Sequence, residues 1–137
     1  MTDAAALRVA KLATKTARAF WKLDPLWEIT VELASLDMET LAQVDYHPDY
    51  KRATIRVDHW QCRDEAAIWQ HTAHEVAHLA LWEHGAFKNL LMAHCGGELP
   101  PVLDSAWDHM VESQTRRLEF AFVRAHPYKK RGVSHAR

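Results

Sequence analysis

The stretch Gln70-His71-Thr72-Ala73-His74-Glu75-Val76-Ala77-His78-Leu79 carries two histidines four residues apart, with a glutamate directly after the first. On a helix, residues at that spacing lie one above the other, so His74 and His78 can aim both imidazoles at one metal ion. Glu75 is then placed to take a proton from a water that the metal activates. A purely structural helix has no need of that glutamate at that position. Asp64 is a helix-capping residue, and the spacing predicts a helix over residues 65–83. Counting about 100° per residue, Trp69, Ala73, Val76 and Ala80 form its core stripe. His71, His74, Glu75, His78 and Trp82 form a separate face, as a site in a cleft requires.

Working outward toward the N-terminus, the apolar period changes from helical to two. Ala53, Ile55 and Val57 alternate with polar residues and predict one strand. Ala42, Val44 and Tyr46 predict another, joined to it as a hairpin through the turn residues His47-Pro48-Asp49-Tyr50. Trp27, Ile29, Val31 and Leu33 predict a third, so the sheet is small and at least partly antiparallel. If the strand of Ala53–Val57 lay at the sheet edge beside the motif helix, it could bind a peptide as an added strand. Before these, Leu7, Ala10, Ala13, Ala17 and Phe20 recur at helical spacing over residues 4–22, with Asp3 placed to cap.

Toward the C-terminus, residues 85–102 hold three of the four glycines and Pro100-Pro101, and are expected to form a long loop. A final helix is expected over residues 103–125, burying Leu103, Trp107, Met110, Gln114, Leu118 and Ala121. The basic segment 126–137, with Lys129-Lys130-Arg131, is expected to be a flexible tail. It and the basic face of the first helix are weak nucleic-acid signals; steep salt dependence of DNA retention would mark such an adaptor.

The bulk properties fit one domain, residues 1–125, of α+β class. With 137 residues, 48% of them hydrophobic and six tryptophans, the chain can bury a core and disorder is excluded for most of it. A formal net charge of −1 gives no global pull toward nucleic acid or acidic lipid. No segment approaches the ~20 apolar residues of a membrane span. Cys62 and Cys95, without C-x-x-C spacing, fit free thiols in a reducing compartment, and the expected location is the cytoplasm.

A catalytic zinc takes three protein ligands, and the sequence offers two kinds of third ligand. His84 follows His78 by six residues, the spacing at which a glycine lets the chain turn back to the metal. Here Leu81 occupies the glycine position. If the helix continued, His84 would lie about 220° around from His71, facing away. The alternative is a carboxylate of the last helix, where Asp108, Glu112 and Glu119 share one flank. Asp108 is accounted for by the helix dipole, and Glu119 reads as a surface charge. Glu112 sits at the boundary of the apolar stripe, where it could face a cleft.

The runs Tyr46-His47-Pro48-Asp49-Tyr50-Lys51-Arg52-Ala53-Thr54-Ile55, His74 to Leu79, and Glu112-Ser113-Gln114-Thr115-Arg116-Arg117-Leu118 together resemble small phage- and prophage-encoded zincins. The resemblance covers roughly residues 27–125. It implies a minimal gluzincin-like metallopeptidase fold: an N-terminal helix, a three-stranded or larger mixed sheet, the active-site helix and a C-terminal helix. It further implies Zn²⁺ on His74, His78 and Glu112, Glu75 as general base, and a protein or peptide substrate in a bacterial or phage-infected cell. In larger gluzincins an aspartate four residues after the ligand glutamate supports a zinc histidine; here that position is Arg116, so the support must be built differently. Residues 74–87 are also similar to SprT- and WLM-type proteases that act on DNA-bound proteins, which implies His84 as third ligand. From another class, a zincin-like domain could be a metal-stabilised binding or structural module without proteolysis. His71, His109 and Tyr50 are the candidates for stabilising an oxyanion.

Overall fold

The computed structural model describes residues 1–94, 96–98 and 100–130, the side chains of residues 83–87 excepted. It is an α+β fold of four helices and a three-stranded mixed sheet. Strands β1 (Glu28–Leu33), β2 (Ala42–His47) and β3 (Arg52–Val57) lie in the order β1-β3-β2. The β2–β3 hairpin is antiparallel, and the turn between them ends at Lys51 in the left-handed region, φ 51°. β1 pairs with β3 in parallel. Thus β3 is the central strand and β2 an edge, so the free edge beside the motif helix belongs to Ala42–His47 and not to Ala53–Val57.

Alternation divides the sheet into two faces. Ala53, Ile55 and Val57 are buried under the helices, with Ile29, Val31, Ala42 and Val44 packed against that core. The opposite face is charged, and there Glu28 lies opposite Arg52 and Glu32 opposite Arg56. Arg56 also pairs with Asp45 of β2. Opposite charges directly across a pair of strands favour this register over a slip of one residue, which would bury the charges.

Helix α1 (Asp3–Phe20) is capped by Thr2, whose hydroxyl accepts from the Ala5 amide at 3.3 Å. Asp3, expected as the cap, instead meets the buried His59 at 3.0 Å. The buried stripe of α1 is Ala6, Val9, Ala10, Ala13, Thr14 and Ala17, side chains small enough for α1 to pack closely on α2. Helix α2 (Glu65–Ala80) starts at Asp64, which accepts from the Ala67 amide at 2.8 Å. Of its expected core stripe, Trp69, Ala73 and Val76 are buried and Ala80 is half-buried.

Two expectations about the C-terminal half are corrected. Residues 85–102 are not one long loop: helix α3 (Trp82–His94) follows α2 after a break at Leu81. Lys88-Asn89-Leu90-Leu91-Met92-Ala93 are adequate helix formers and outweigh the roughly 1 kcal/mol cost of Gly85. The helix stops where Gly96 and Gly97 take positive φ and the Gly97 amide reaches back to the Met92 carbonyl at 2.6 Å. Helix α4 (Pro101–Ala125) buries Thr115, Glu119 and Phe122, whereas Leu103, Met110 and Ala121 of the expected stripe are exposed. Its first half runs beyond α2 and is tied to α3 by Lys88, 2.6 Å from Asp104 and 2.9 Å from Asp108. Its second half meets α2 through polar side chains around His74 and through Phe122, which stacks on Trp69 with ring centroids 5.5 Å apart.

The start of the basic tail is anchored: the Trp69 indole donates to the His126 carbonyl at 3.0 Å, and Tyr128 donates to Glu65 at 2.7 Å. Residues 131–137 lie outside the described residues. So does Cys95, while Cys62 is a buried free thiol.

Candidate metal centre

The crossing of α2 and α4 assembles the site. His74 and His78 stand one turn apart on α2, ring centroids 5.0 Å apart. From α4, Glu112 brings one carboxylate oxygen to 3.0 Å from His74 Nε2 and the other to 3.6 Å from His78 Nε2. One ligand atom from each of these three residues lies within 4.8 Å of the other two. Tetrahedral zinc with bonds of ~2.1 Å holds its ligands about 3.4 Å from one another, and two imidazoles with one carboxylate are a donor set zinc accepts. The three residues therefore fit the ion that the motif implies.

The other nitrogen of each imidazole is engaged from α4 as well. Glu119 Oε2 lies 2.7 Å from His74 Nδ1, and its second oxygen accepts from the Gln70 amide at 2.5 Å. Glu119 is therefore not a surface charge but a buried carboxylate, only 6% exposed. Burial alone would raise its pKa, but the hydrogen bonds from His74 and Gln70 outweigh it and hold the carboxyl below its usual range. Thr115 stands 3.5 Å from His78 Nδ1 and donates its hydroxyl to the Val111 carbonyl at 2.9 Å. With Nδ1 of His74 committed to Glu119, Nε2 is the nitrogen presented to the cleft. The support absent at Arg116 is thus supplied at Glu119, seven residues beyond Glu112 and on the same face of α4.

Glu75 is buried beside these groups, and burial pushes its carboxyl up to about 7, with His74 opposing and Glu112 adding to the rise. The backbone amide of Val44 in the edge strand works against that rise. Burial is also the first cause acting on both remaining histidines of this face. It lowers His71, with Glu119 opposing, and it lowers His78 together with His74. For His74 the same burial is overcome by Glu119, Glu75 and Glu112, and its pKa rises.

No protein-family model, no curated protein and no solved structure matches this chain. The site must therefore be read from its own geometry.

His74, Glu75 and Glu112 open into a cavity of about 470 Å³. Its floor is Gln70, His71, His74 and Glu75 of α2; one wall is Glu39–Ala42, and the other is Glu112, Arg116, Glu119 and Phe120 of α4. A neighbouring cavity of about 380 Å³ shares Glu112, Arg116 and Phe120 and adds His109 and Arg117. The first wall is pinned by Asp58. This buried carboxylate accepts from the Leu36 amide at 2.8 Å and from Gln61 Nε2 at 2.8 Å, while Gln61 reaches the carbonyls of Leu36, Asp37 and Thr40.

Of the residues singled out in the sequence, His74, Glu75, His78 and Glu112 converge here. His71 lines the same cavity and His109 the neighbouring one. Tyr50 is 76% exposed and lines neither, standing on the turn beyond the far end of β2. Trp82 turns from the site to pack on Trp27, centroids 6.5 Å apart. The His84 side chain lies outside the described residues. Thr115 carries no signal in the sequence that marks it for the site, and Glu119 reads there only as a surface charge.

Proposed function

We propose that the protein is a zinc-dependent metallopeptidase of minimal gluzincin-like type, acting on a protein or peptide substrate in the cytoplasm of a bacterial or phage-infected cell. The observation that carries this reading is the convergence of His74, His78 and Glu112 beside a buried Glu75 that ligates nothing. A binding or structural module would have use for the three ligands but none for Glu75.

When bound, zinc supplies a Lewis acid that polarises a peptide carbonyl and brings the pKa of a water toward ~7. The chain's own residues do the rest. Glu75, its carboxyl poised near neutrality by burial, accepts a proton from the attacking water and returns it to the departing amine. Glu119 and Thr115 hold the two imidazoles from behind, which fixes the nitrogens that face the cleft. The Leu41 carbonyl is spent on the Asp58 amide, which turns odd-numbered positions of this segment toward β3. The amides of Ala42 and Tyr46 and the carbonyls of Ala42, Val44 and Tyr46 then face the free edge, where an extended peptide adds as a strand above Glu75.

The test is Glu75→Gln in protein loaded with zinc. The variant is expected to keep one zinc per chain and to lose peptidase activity by roughly 10²-fold or more. Full activity in Glu75→Gln refutes the mechanism, and zinc bound by a parent protein that cleaves no peptide supports the structural module. Zinc stoichiometry in Glu112→Ala and His84→Ala separates the two ligand assignments. Loss in the first alone is expected; loss in the second alone supports the SprT-like reading.

A further inference from the structure

Arg116 lies one turn beyond Glu112 on α4 and lines both cavities of the cleft. It is the only lysine or arginine among the described residues lining the metal-side cavity, whose other charged members are Glu39, Glu75, Glu112 and Glu119. Three of those carboxylates are engaged or buried: Glu112 faces the two histidines, Glu119 holds His74, and Glu75 is buried. Arg116 makes no ion pair or side-chain hydrogen bond within the described residues, and its side chain is exposed to the cleft. A guanidinium without a partner, in a cleft otherwise rich in negative charge, offers a planar fork to a single carboxylate. Beside it Phe120, 64% exposed, gives an apolar surface shared by both cavities.

We propose that Arg116 is a specificity-determining residue that binds a carboxylate of the peptide lying in this cleft, either an acidic side chain or the C-terminal carboxylate. This rests on the metallopeptidase reading for its substrate class but not for its electrostatics. A polyanionic strand is the poorer occupant. Its phosphates would approach Glu39, Glu75, Glu112 and Glu119 together, whereas one carboxylate reaches Arg116 from the side of the cleft where Arg117 and His109 lie.

The experiment measures binding, without turnover, on the Glu75→Gln protein in metal-free and zinc-loaded forms. The probes are matched N-acetylated alanine peptides: C-terminally amidated, with a free C-terminus, and amidated with an internal glutamate or glutamine. At low salt one carboxylate-bearing peptide is expected to bind roughly tenfold more tightly than its neutral counterpart, in both forms. The free-C-terminus and glutamate arms show which carboxylate it is. Arg116→Ala should abolish the preference, Arg116→Lys should retain part of it, and added salt should weaken it. Equal affinities for charged and neutral peptides, or a preference that survives Arg116→Ala, overturn the proposal. A preference seen only with zinc and untouched by Arg116→Ala assigns the carboxylate to the metal and also overturns it. Tighter binding of a single-stranded oligonucleotide, lost in Arg116→Ala, assigns the arginine to nucleic acid instead. Because the metal-free arm needs no zinc, failure of the metal reading and failure of this one are separable.

Discussion

Replacing Glu119 by alanine removes the carboxylate that meets His74 Nδ1 at 2.7 Å and Gln70 Nε2 at 2.5 Å. Loss of a partner behind a metal-ligating imidazole weakens metal binding about 10- to 100-fold, equivalent to about 1.4–2.7 kcal/mol. Glu119→Ala is therefore expected to raise the zinc dissociation constant by that factor. The metal-free protein should also lose stability, because two part-buried donors are left without their acceptor. Each such orphan costs about 1–3 kcal/mol, and the open cavity lets water reach both, so the lower end applies and about 2 kcal/mol in total is expected. Glu119→Gln is the informative contrast. Its amide oxygen can still accept from His74 and its amide group can face a rotated Gln70, so orientation survives while the charge is lost. Less than a tenfold change in zinc affinity is expected for it. Competition against a chromophoric chelator gives the dissociation constants, and urea midpoints of the metal-free proteins give the stabilities. A folded Glu119→Ala protein that binds zinc as tightly as the parent would refute the reasoning, because nothing else described here fixes the His74 ring from behind.

The proposed zinc should stabilise the fold, since its three candidate ligands come from two helices: at free zinc one hundred times the dissociation constant the linkage is about 2.7 kcal/mol, or roughly 9 °C in Tm for a chain of this size. Scanning calorimetry checks it, and His78→Ala should show no comparable rise. Asp58 is buried, which would raise its pKa, but hydrogen bonds from the Gln61 side chain and from the Leu36, Gln61 and Trp60 amides hold it below the usual value. Its folded pKa lies under its unfolded one, so its contribution is complete above about pH 4–5 and fades as pH falls through the folded value. Asp58→Asn should cost about 1–3 kcal/mol at pH 7 and flatten the dependence of the urea midpoint on pH between about 5 and 3; a parallel pH profile in the variant would contradict this. Burial, helped by the charges of Asp58 and Asp64, pushes the Cys62 thiol up to about 11. At pH 8 only roughly one molecule in a thousand carries the thiolate, so iodoacetamide should leave Cys62 unlabelled in the native state and label it in urea, as peptide mapping will show.

The residues that were legible in the sequence are those whose meaning is local. His74, Glu75 and His78 follow from the rise and turn of one helix, and Asp64 and the β2–β3 hairpin from cap and turn chemistry, with no knowledge of what packs where. Glu119 was illegible because its role depends on how α4 crosses α2. Asp108, Glu112 and Glu119 share a flank, and only the crossing decides which faces the histidines. The same crossing defeated the apolar stripe of α4. The face that meets α2 sets Thr115 and Glu119 against the histidines and Phe122 against Trp69, so these are buried and Met110 is not. The place of β3 was recoverable, however. All three strands alternate equally well, but Glu28 and Glu32 carry the same spacing as Arg52 and Arg56, and that complementarity pairs β1 with β3. It leaves β2 at the edge, beside Glu75. Helix α3 was hidden by counting glycines without asking where they stand: Gly85 lies inside the helix, while Gly96 and Gly97 end it. The candidate metal site is therefore local in its histidines and tertiary in its carboxylates. Glu112 could be named ahead of the structure from its place at the edge of the apolar stripe and from the resemblance, whereas Glu119 needed the packed helices.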